Sequence, residues 1–281
     1  MDAMQLAVVV GVGGMGAAVA RTLAADYRIL LVDIDEQRCA AVADEMRERG
    51  APVDAAQCDI TSPKAVTALA ERVAREGGVR VLAHVAGLSP TMGDFDSIIR
   101  VNLTGAALIS DALLPHAVPG AAAILISSLG AHLCGFDDGT LNLLREKAAS
   151  ADLPDLLRRS VGAERADSNM AYQLSKFGLV MLARRRARDW GARGGRIVSL
   201  SPGIIATPMG TKEFADNPAK RRLFDLSPQK REGTMEEIAD VVAFLASDKA
   251  SFLSGTDILV DGGLAGALSD VPFETMRTSA R

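Results

Sequence analysis

Short apolar runs alternate with longer amphipathic stretches along most of the chain. The runs at 6–10 and 28–32 are rich in Val, Ile and Leu and do not alternate with polar residues. Such runs are typical of strands buried on both faces of a parallel sheet. The alanine-rich stretch at 17–25 between them has the pattern of a helix. The sequence therefore predicts one α/β domain spanning residues 1–281, built on a doubly wound parallel sheet.

Helix-start signals support this frame. Ser62 followed by Pro63 predicts an N-cap with proline in the first helical turn. The run from Thr234 to Glu237 predicts a capping box that opens a helix over 235–246, followed by a closing strand at 257–260.

Two stretches depart from the strand–helix alternation. Residues 133–168 carry two helical patterns and predict a helical hairpin inserted before the next long helix. The apolar positions of these two patterns are Leu141, Leu144 and Ala148, and then Leu153, Leu156, Leu157 and Val161. Residues 208–232 are polar and charged, with large apolar side chains interspersed: Met209, Phe214, Leu223, Phe224 and Leu226.

Composition excludes several classes of function. The net charge of −4 and the mixed surface give no reason to expect a nucleic-acid partner. No apolar run suggests a membrane span, and the N-terminal residues do not read as a signal peptide. The cysteines Cys39, Cys58 and Cys134 have neither disulfide-like nor metal-like spacing, so we expect a cytoplasmic protein with reduced thiols and no metal site.

The first apolar run leads directly into a glycine turn. The turn contains Gly11, Gly13, Gly14, Met15 and Gly16, and the second run ends at Asp33. Glycines at this place let the backbone approach a pyrophosphate at a helix N-terminus, and an acidic side chain about twenty residues later can hold ribose hydroxyls. The arrangement predicts a Rossmann-type dinucleotide site, whereas the glycine turn alone would also fit a tight strand–helix connection.

A phenol and an ammonium group occur four residues apart later in the chain. Tyr172 and Lys176 lie in a stretch that reads as one helix, so they share a helical face. A fixed cation beside a phenol favours the phenolate, which is the form that accepts a proton. Such pairs are common on protein surfaces, so this pair gains weight only from the dinucleotide motif that precedes it.

Further blocks follow in an order that resembles the short-chain dehydrogenase/reductase family over residues 5–263. They are Cys58-Asp59-Ile60, His84-Val85-Ala86-Gly87, Val101-Asn102-Leu103, Ile126-Ser127-Ser128, the segment from Ser201 to Pro208, and Asp261-Gly262-Gly263. The resemblance implies that 208–232 covers the substrate. It implies catalytic roles for Asn102, Ser128, Tyr172 and Lys176, with Ser127 the alternative serine. It also implies that His84, which replaces a family asparagine, is structural, and that Asn102 either tethers a proton-relaying water or only bonds backbone.

The cofactor implied by the resemblance is NAD. Its expected contacts are Gly11, Gly13, Gly14, Met15, Gly16, Asp33, Asp59, Ile60, Ala86, Gly87, Tyr172, Lys176, Pro202, Gly203, Ile205 and Thr207. We expect NAD rather than NADP because Asp33 would repel a 2′-phosphate, and neither Ile34 nor the glycine turn supplies a compensating cation.

Three departures narrow the resemblance. The glycine turn is one residue shorter than is usual, the interval from Gly87 to Asn102 is short, and Ser128 and Tyr172 are 44 positions apart. The last two departures are similar to the bacterial 3α-hydroxysteroid dehydrogenase/carbonyl reductase subgroup.

The sequence therefore predicts an NAD-dependent alcohol dehydrogenase or ketone reductase with a hydrophobic secondary alcohol or ketone as substrate, steroids included. A non-catalytic dinucleotide-binding sensor and a nucleotide-sugar epimerase are the alternatives. Since the insertion at 133–168 would cover the surface through which the family forms tetramers, we expect a homodimer built around residues 235–260, with a tetramer the alternative.

Overall fold

The computed structural model describes residues 4–207 and 218–269. Within these residues, seven parallel strands form one sheet, in the order β3-β2-β1-β4-β5-β6-β7. The strands are β1 Leu6–Val10, β2 Arg28–Asp33, β3 Val53–Gln57, β4 Val79–His84, β5 Ala117–Ile126, β6 Arg196–Pro202 and β7 Asp257–Val260. The predicted doubly wound α/β fold is confirmed, and all five residues of β1 are buried, as expected for a central strand.

Helices cover both faces of the sheet. They are α1 Gly14–Leu23, α2 Glu36–Glu48, α3 Pro63–Arg75, α4 Phe95–Ile99, α5 Ala106–Leu113, α6 Asp138–Glu146, α7 Leu153–Val161, α8 Ser168–Ala192, α9 Pro218–Leu226, α10 Met235–Ala246 and α11 Leu264–Ser269. One hydrophobic core joins the sheet to α3, α4, α5 and α8, and a second joins its other face to α1, α2 and α10.

The predicted helix starts are confirmed. Ser62 Oγ accepts a hydrogen bond from Ala65 N at the start of α3. Thr234 and Glu237 form both bonds of the capping box at the start of α10.

The insertion forms two helices, as its pattern predicts, and these are α6 and α7. Leu144 and Leu157 are fully buried in the core shared with α4 and α8, whereas Leu141 and Leu156 are half-buried. The Arg158 guanidinium on α7 pairs with Asp96 on α4. The insertion therefore lies against the outer side of α4 and α8.

The helix that carries Asn102 differs from expectation. Between α4 and α5 the backbone is π-helical over Arg100–Gly105, so the extra residue per turn changes where side chains point. By length and composition the whole stretch Phe95–His116 is also apolar enough to cross a membrane, which the sequence analysis did not anticipate. In the structure 61% of its apolar window is buried against the rest of the protein, as in a core helix.

Candidate active site

The site lies at the carboxyl edge of the sheet, where β1 and β4 are neighbours. The chain order reverses between these two strands, and open α/β sheets bind ligands in the crevice at such a point.

The glycine turn is shaped by close backbone packing. Gly11 has φ +90°, and a Cβ at this position would lie 2.4 Å from Ala86 N. A Cβ at Gly16 would lie 1.8 Å from Gly11 O. By contrast, a Cβ at Gly13 would meet nothing within 4 Å. Gly11 and Gly16 are therefore required by the fold, whereas Gly13 faces open space at the start of α1.

The N-terminus of α1 has no side-chain cap, because its N-cap residue is Gly13. The first N–H groups of a helix lack partners within that helix, and the positive end of the dipole favours an anion. Gly14 is exposed and Met15 is half-buried beside this end. The shortened turn thus still presents backbone donors to a pyrophosphate.

Asp33 is held at the tip of β2 by backbone donors. Its Oδ2 accepts from Val12 N at 2.7 Å and its Oδ1 accepts from Asp35 N at 3.0 Å. Arg38 of α2 places Nη1 3.9 Å from Asp33 Oδ2, and its Nη2 bonds Asp35 Oδ2 at 3.0 Å. This cation was missed from the sequence, because only Ile34 and the glycine turn were considered. The first turn of α2 places the Arg38 side chain beside Asp33.

Asp59 and Ile60 follow β3. The Oδ1 of Asp59 accepts from both N and Oγ1 of Thr61, which fixes the carboxylate in a turn. The side chain of Ile60 is buried in the core, and a Cβ on Gly105 would lie 2.7 Å from its Cγ1 and 2.8 Å from its Cδ1. Only the backbone of Ile60 is therefore left to contact a cofactor.

Lys176 is buried beside the Tyr172 ring on α8. Its Nζ donates to Ile126 O at 2.9 Å and lies 5.6 Å from the centroid of the ring. Burial lowers the pKa of Lys176 to about 8. The pair predicted from spacing is thus formed, and α8 begins at the N-cap Asp167, whose carboxylate accepts from Met170 N.

The two candidate serines have different surroundings. Ser127 is buried and its Oγ donates to Lys176 O at 2.8 Å, which fastens α8 to the end of β5. Ser128 is half-buried, and its Oγ accepts from Gly130 N at 3.1 Å. Ser127 Oγ is thus engaged in the interior, whereas Ser128 Oγ and the Tyr172 ring both approach a Cβ position at Gly130, at 3.6 Å and 3.7 Å.

The Asn102 side chain joins the loop after β4 to α8. Its Oδ1 accepts from Leu88 N at 2.7 Å, while Nδ2 donates to Leu88 O at 3.0 Å and to Ser175 Oγ at 3.1 Å. Ser175 in turn donates to Tyr172 O at 2.9 Å. The side chain therefore bonds backbone, which the sequence analysis left open, and also Ser175, which it missed although that residue directly precedes Lys176.

Gly87 faces both groups across a narrow space. A Cβ at this position would lie 3.4 Å from Asn102 Oδ1 and 3.4 Å from Lys176 Nζ. Gly87 is exposed, so this space opens outward.

The segment after β6 closes the remaining side. Pro202 ends the strand, and Gly203 donates from its N to Val260 O at 2.9 Å. A Cβ at Gly203 would lie 2.6 Å from Asp261 Cα, so glycine is required here. Ile205 pairs with Gly233, and Thr207 is the last residue described before 208–217.

These residues fit a dinucleotide. The uncapped end of α1 and the open space at Gly13 suit the pyrophosphate. The exposed backbone at Gly87 lies beside Lys176 and Asn102, where it could contact another part of the cofactor. Among the described residues, no cluster of His, Cys, Asp or Glu could hold a metal ion.

His84, at the end of β4, is fully buried. Among the described residues neither of its ring nitrogens has a hydrogen-bond partner. Burial, and then the Lys176 ammonium, lower the pKa of His84 to about 3, so the ring is neutral at physiological pH. The structural role expected for His84 stays a prediction.

Comparison with known proteins identifies the family. A short chain dehydrogenase model matches residues 5–136, and an enoyl-(acyl carrier protein) reductase model matches residues 157–265. The short-chain dehydrogenase/reductase Bsc3 of Alternaria brassicicola is 34% identical, over 93% of this chain and 96% of that protein. The chain belongs to the short-chain dehydrogenase/reductase family. It is an oxidoreductase of alcohols and ketones, and its cofactor is a nicotinamide dinucleotide.

The comparisons do not favour the 3α-hydroxysteroid dehydrogenase/carbonyl reductase subgroup over other members of the family. The 3-alpha-hydroxysteroid dehydrogenase/carbonyl reductase of Comamonas testosteroni is 30% identical, over 92% of this chain and 96% of that protein. Other curated relatives are similar to about the same degree. Among solved structures, the crystal structure of gox2181 has a TM-score of 0.75 at 22% identity and covers 94% of this chain and 96% of that one, which shows the shared fold.

Proposed function

We propose that this protein interconverts a hydrophobic secondary alcohol and its ketone with NAD(H). One observation carries the proposal: the four catalytic candidates are linked by close approaches at the carboxyl edge of the sheet. Lys176 lies beside the Tyr172 ring, Ser128 and Tyr172 both lie within 4 Å of a Cβ at Gly130, and Asn102 and Lys176 both lie 3.4 Å from a Cβ at Gly87.

Each catalytic group has a distinct task. Tyr172 exchanges the proton of the reacting oxygen, and the Lys176 ammonium favours its phenolate form. Ser128 donates a hydrogen bond to the same oxygen and stabilises the charge that develops there. When bound, the nicotinamide supplies or takes up the hydride.

Asn102 and Ser127 position the catalytic groups without contacting the reacting atoms. Asn102 holds Leu88 against Ser175, and Ser127 holds the backbone of Lys176. The hydrogen bonds of Asn102 and Ser127 fix the position of α8 relative to the strand ends. They therefore keep Tyr172 and Lys176 correctly placed for proton transfer.

The preference for NAD is supported by Asp33. A carboxylate buried to 8% exposure and held by two backbone donors cannot turn away from a 2′-phosphate. The nearby Arg38 offsets part of this repulsion, so we propose a preference rather than an exclusion.

An apolar substrate is supported by exposed hydrophobic side chains at the carboxyl edge. Met92 after β4 is 47% exposed, Leu133 after β5 is 41% exposed, and Leu226 at the end of α9 is 40% exposed. Phe224 of the predicted covering segment is half-buried, while Met209 and Phe214 lie outside the described residues. The hydroxysteroid relative is named for a substrate of this type.

The direct test is turnover. Purified protein, NADH and a panel of linear, cyclic, aromatic and steroid ketones are mixed, and the loss of nicotinamide absorbance is followed; the alcohols are then tested with NAD. We expect turnover with apolar ketones. Activity confined to small charged hydroxy acids would contradict the substrate class. Nucleotide binding without any turnover would favour a sensor, and conversion of nucleotide sugars would favour an epimerase.

We also propose a homodimer in the cytoplasm. The free thiols of Cys39, Cys58 and Cys134 suit a reducing compartment. Burial raises the pKa of Cys58 and of Cys134 to about 11, so both are inert thiols.

A further inference from the structure

Gly130 lies between the two groups that handle the reacting oxygen. It belongs to the short 3-10 turn Leu129–His132 that follows Ser128. A Cβ built on Gly130 would lie 3.6 Å from Ser128 Oγ and 3.7 Å from Tyr172 Cε1, and the next nearest atom is Tyr172 Cδ1 at 4.0 Å. A side chain at this position would therefore point at both catalytic groups.

The backbone does not require glycine here. Gly130 is absent from the residues with positive φ, and its Cβ would make only ordinary van der Waals contacts. This differs from Gly11 and Gly203, where a Cβ would collide with backbone atoms. The absence of a side chain at Gly130 thus leaves room beside Ser128 and Tyr172.

That space is open, and leucines lie on both sides of Gly130 in the sequence. Gly130 is half-exposed, so the space is not filled by the protein core. Leu129 packs with Leu264 and Leu268 of α11, and Leu133 is exposed three residues further along the chain. The nearest atoms to a group placed there are the Ser128 hydroxyl and the ring carbons of Tyr172.

We propose that Gly130 is a specificity determinant that admits substrates whose reacting carbon belongs to a ring or carries a branched apolar group. This inference rests on the proposed function and narrows it to cyclic and branched alcohols and ketones. Alanine at this position adds a methyl group within contact distance. Valine adds two further carbons and fills the room that a ring needs.

The test compares substrates of different size in three proteins: wild type, Gly130→Ala and Gly130→Val. The kcat/KM with NADH is measured for butan-2-one, cyclohexanone, decalone and a 3-ketosteroid. For Gly130→Val we expect kcat/KM for the two largest ketones to fall about 20-fold or more relative to butan-2-one, with Gly130→Ala intermediate. NADH affinity, followed by fluorescence, should stay within about twofold of wild type, because Tyr172 is the one expected cofactor contact near Gly130 and its ring carbons are at ordinary van der Waals distance.

Gly191→Val is the matched control. Gly191 lies near the far end of α8, and a Cβ there meets nothing within 4 Å. This variant should leave the substrate ratios unchanged.

Two results would overturn the inference: unchanged substrate ratios in Gly130→Val, or equal loss of small and large ketones while NADH binding persists. If Gly130→Val does not fold, the ratios in Gly130→Ala decide in the same way. Absence of turnover with every ketone in the wild type would overturn the proposed function itself, and this inference with it.

Discussion

The Lys176 ammonium group is buried, and burying this charge lowers the free energy of unfolding. Its exposure is 5%, and burial lowers its pKa from 10.5 to about 8. In the unfolded chain this lysine keeps its proton up to about pH 10.4. Between these two values the unfolded state binds more protons than the native state, so stability rises with pH.

We predict that the wild type gains stability relative to Lys176→Met as the pH rises from 7 to 9.5. The gain should be about 2 kcal/mol in the free energy of unfolding, since about 1.5 pH units lie above the native pKa. Urea unfolding of both apo proteins at the two pH values measures this difference. Lys64→Met removes an exposed lysine of α3 and should show no such change. A wild-type advantage that shrinks with pH would contradict the assignment.

Arg38 is predicted to moderate the choice between NAD and NADP. Arg38→Gln should raise the NAD-over-NADP ratio of kcat/KM by a factor of about three to five, since exposed charge contacts contribute up to about 1 kcal/mol. Asp33→Asn should lower the ratio, because it keeps an acceptor for Val12 N without the charge.

Steady-state kinetics with both cofactors measure these ratios. Arg49→Gln is the control, because Arg49 pairs only with Glu45 among the described residues and lies at the far end of α2. Higher kcat/KM with NADP in the wild type would overturn the proposed preference.

Site residues set by local motifs were predictable, and those set by packing were not. The glycine turn, Asp33 and the Tyr172–Lys176 spacing are visible in short stretches of sequence. Arg38 and Gly130 acquire their meaning only from neighbours that folding brings close.

Elements followed the sequence pattern where hydrophobic periodicity and caps agree. The boundaries of β1, α10 and β7 match the predictions. The π-helical segment Arg100–Gly105 could not be foreseen, because no residue type specifies it. The bonds of Asn102, within this segment, to Leu88 and Ser175 join residues far apart in the sequence.

The insertion is predicted to be an integral part of the core. Leu157→Ala should destabilise the protein by about 2–5 kcal/mol, because Leu157 is fully buried between α7 and its neighbours. Leu156→Ala, on the half-buried side of the same helix, should cost clearly less. Urea unfolding midpoints compare the two, and equal losses would mean that α7 is not packed as described.

At the scale of the whole molecule, most exposed apolar side chains of the described residues fall into two sets. One set follows the carboxyl edge and belongs to the proposed site. The other lies at the β7 edge of the sheet: Phe244 is 45% exposed, Phe252 is fully exposed and Leu259 is 36% exposed. Since α6 and α7 cover the outer side of α4 and α8, the exposed apolar side chains of the β7 edge make it our candidate surface for association.

We predict a two-fold dimer through this edge. Light scattering should give the mass of a dimer for the wild type and of a monomer for the double variant Phe244→Asp/Phe252→Asp. Met4→Asp changes an exposed apolar residue outside both sets and should remain dimeric. A stable tetramer paired through α8 would rule out this assembly.

The account as a whole depends on the phenol of Tyr172. Tyr172→Phe removes one oxygen, so the protein should fold and bind NADH as before. Its kcat should fall by about 100-fold or more, the usual contribution of a proton-transfer group. The chain has two tyrosines, and Tyr27→Phe is the matched control, because Tyr27 bonds Ala246 O on the second core, away from the site.

The decisive measurement is therefore kcat for a ketone at saturating NADH in wild type, Tyr172→Phe and Tyr27→Phe. We expect Tyr27→Phe to stay near wild type while Tyr172→Phe loses nearly all turnover with NADH affinity intact. Retention of a tenth of the wild-type kcat in Tyr172→Phe would contradict the account.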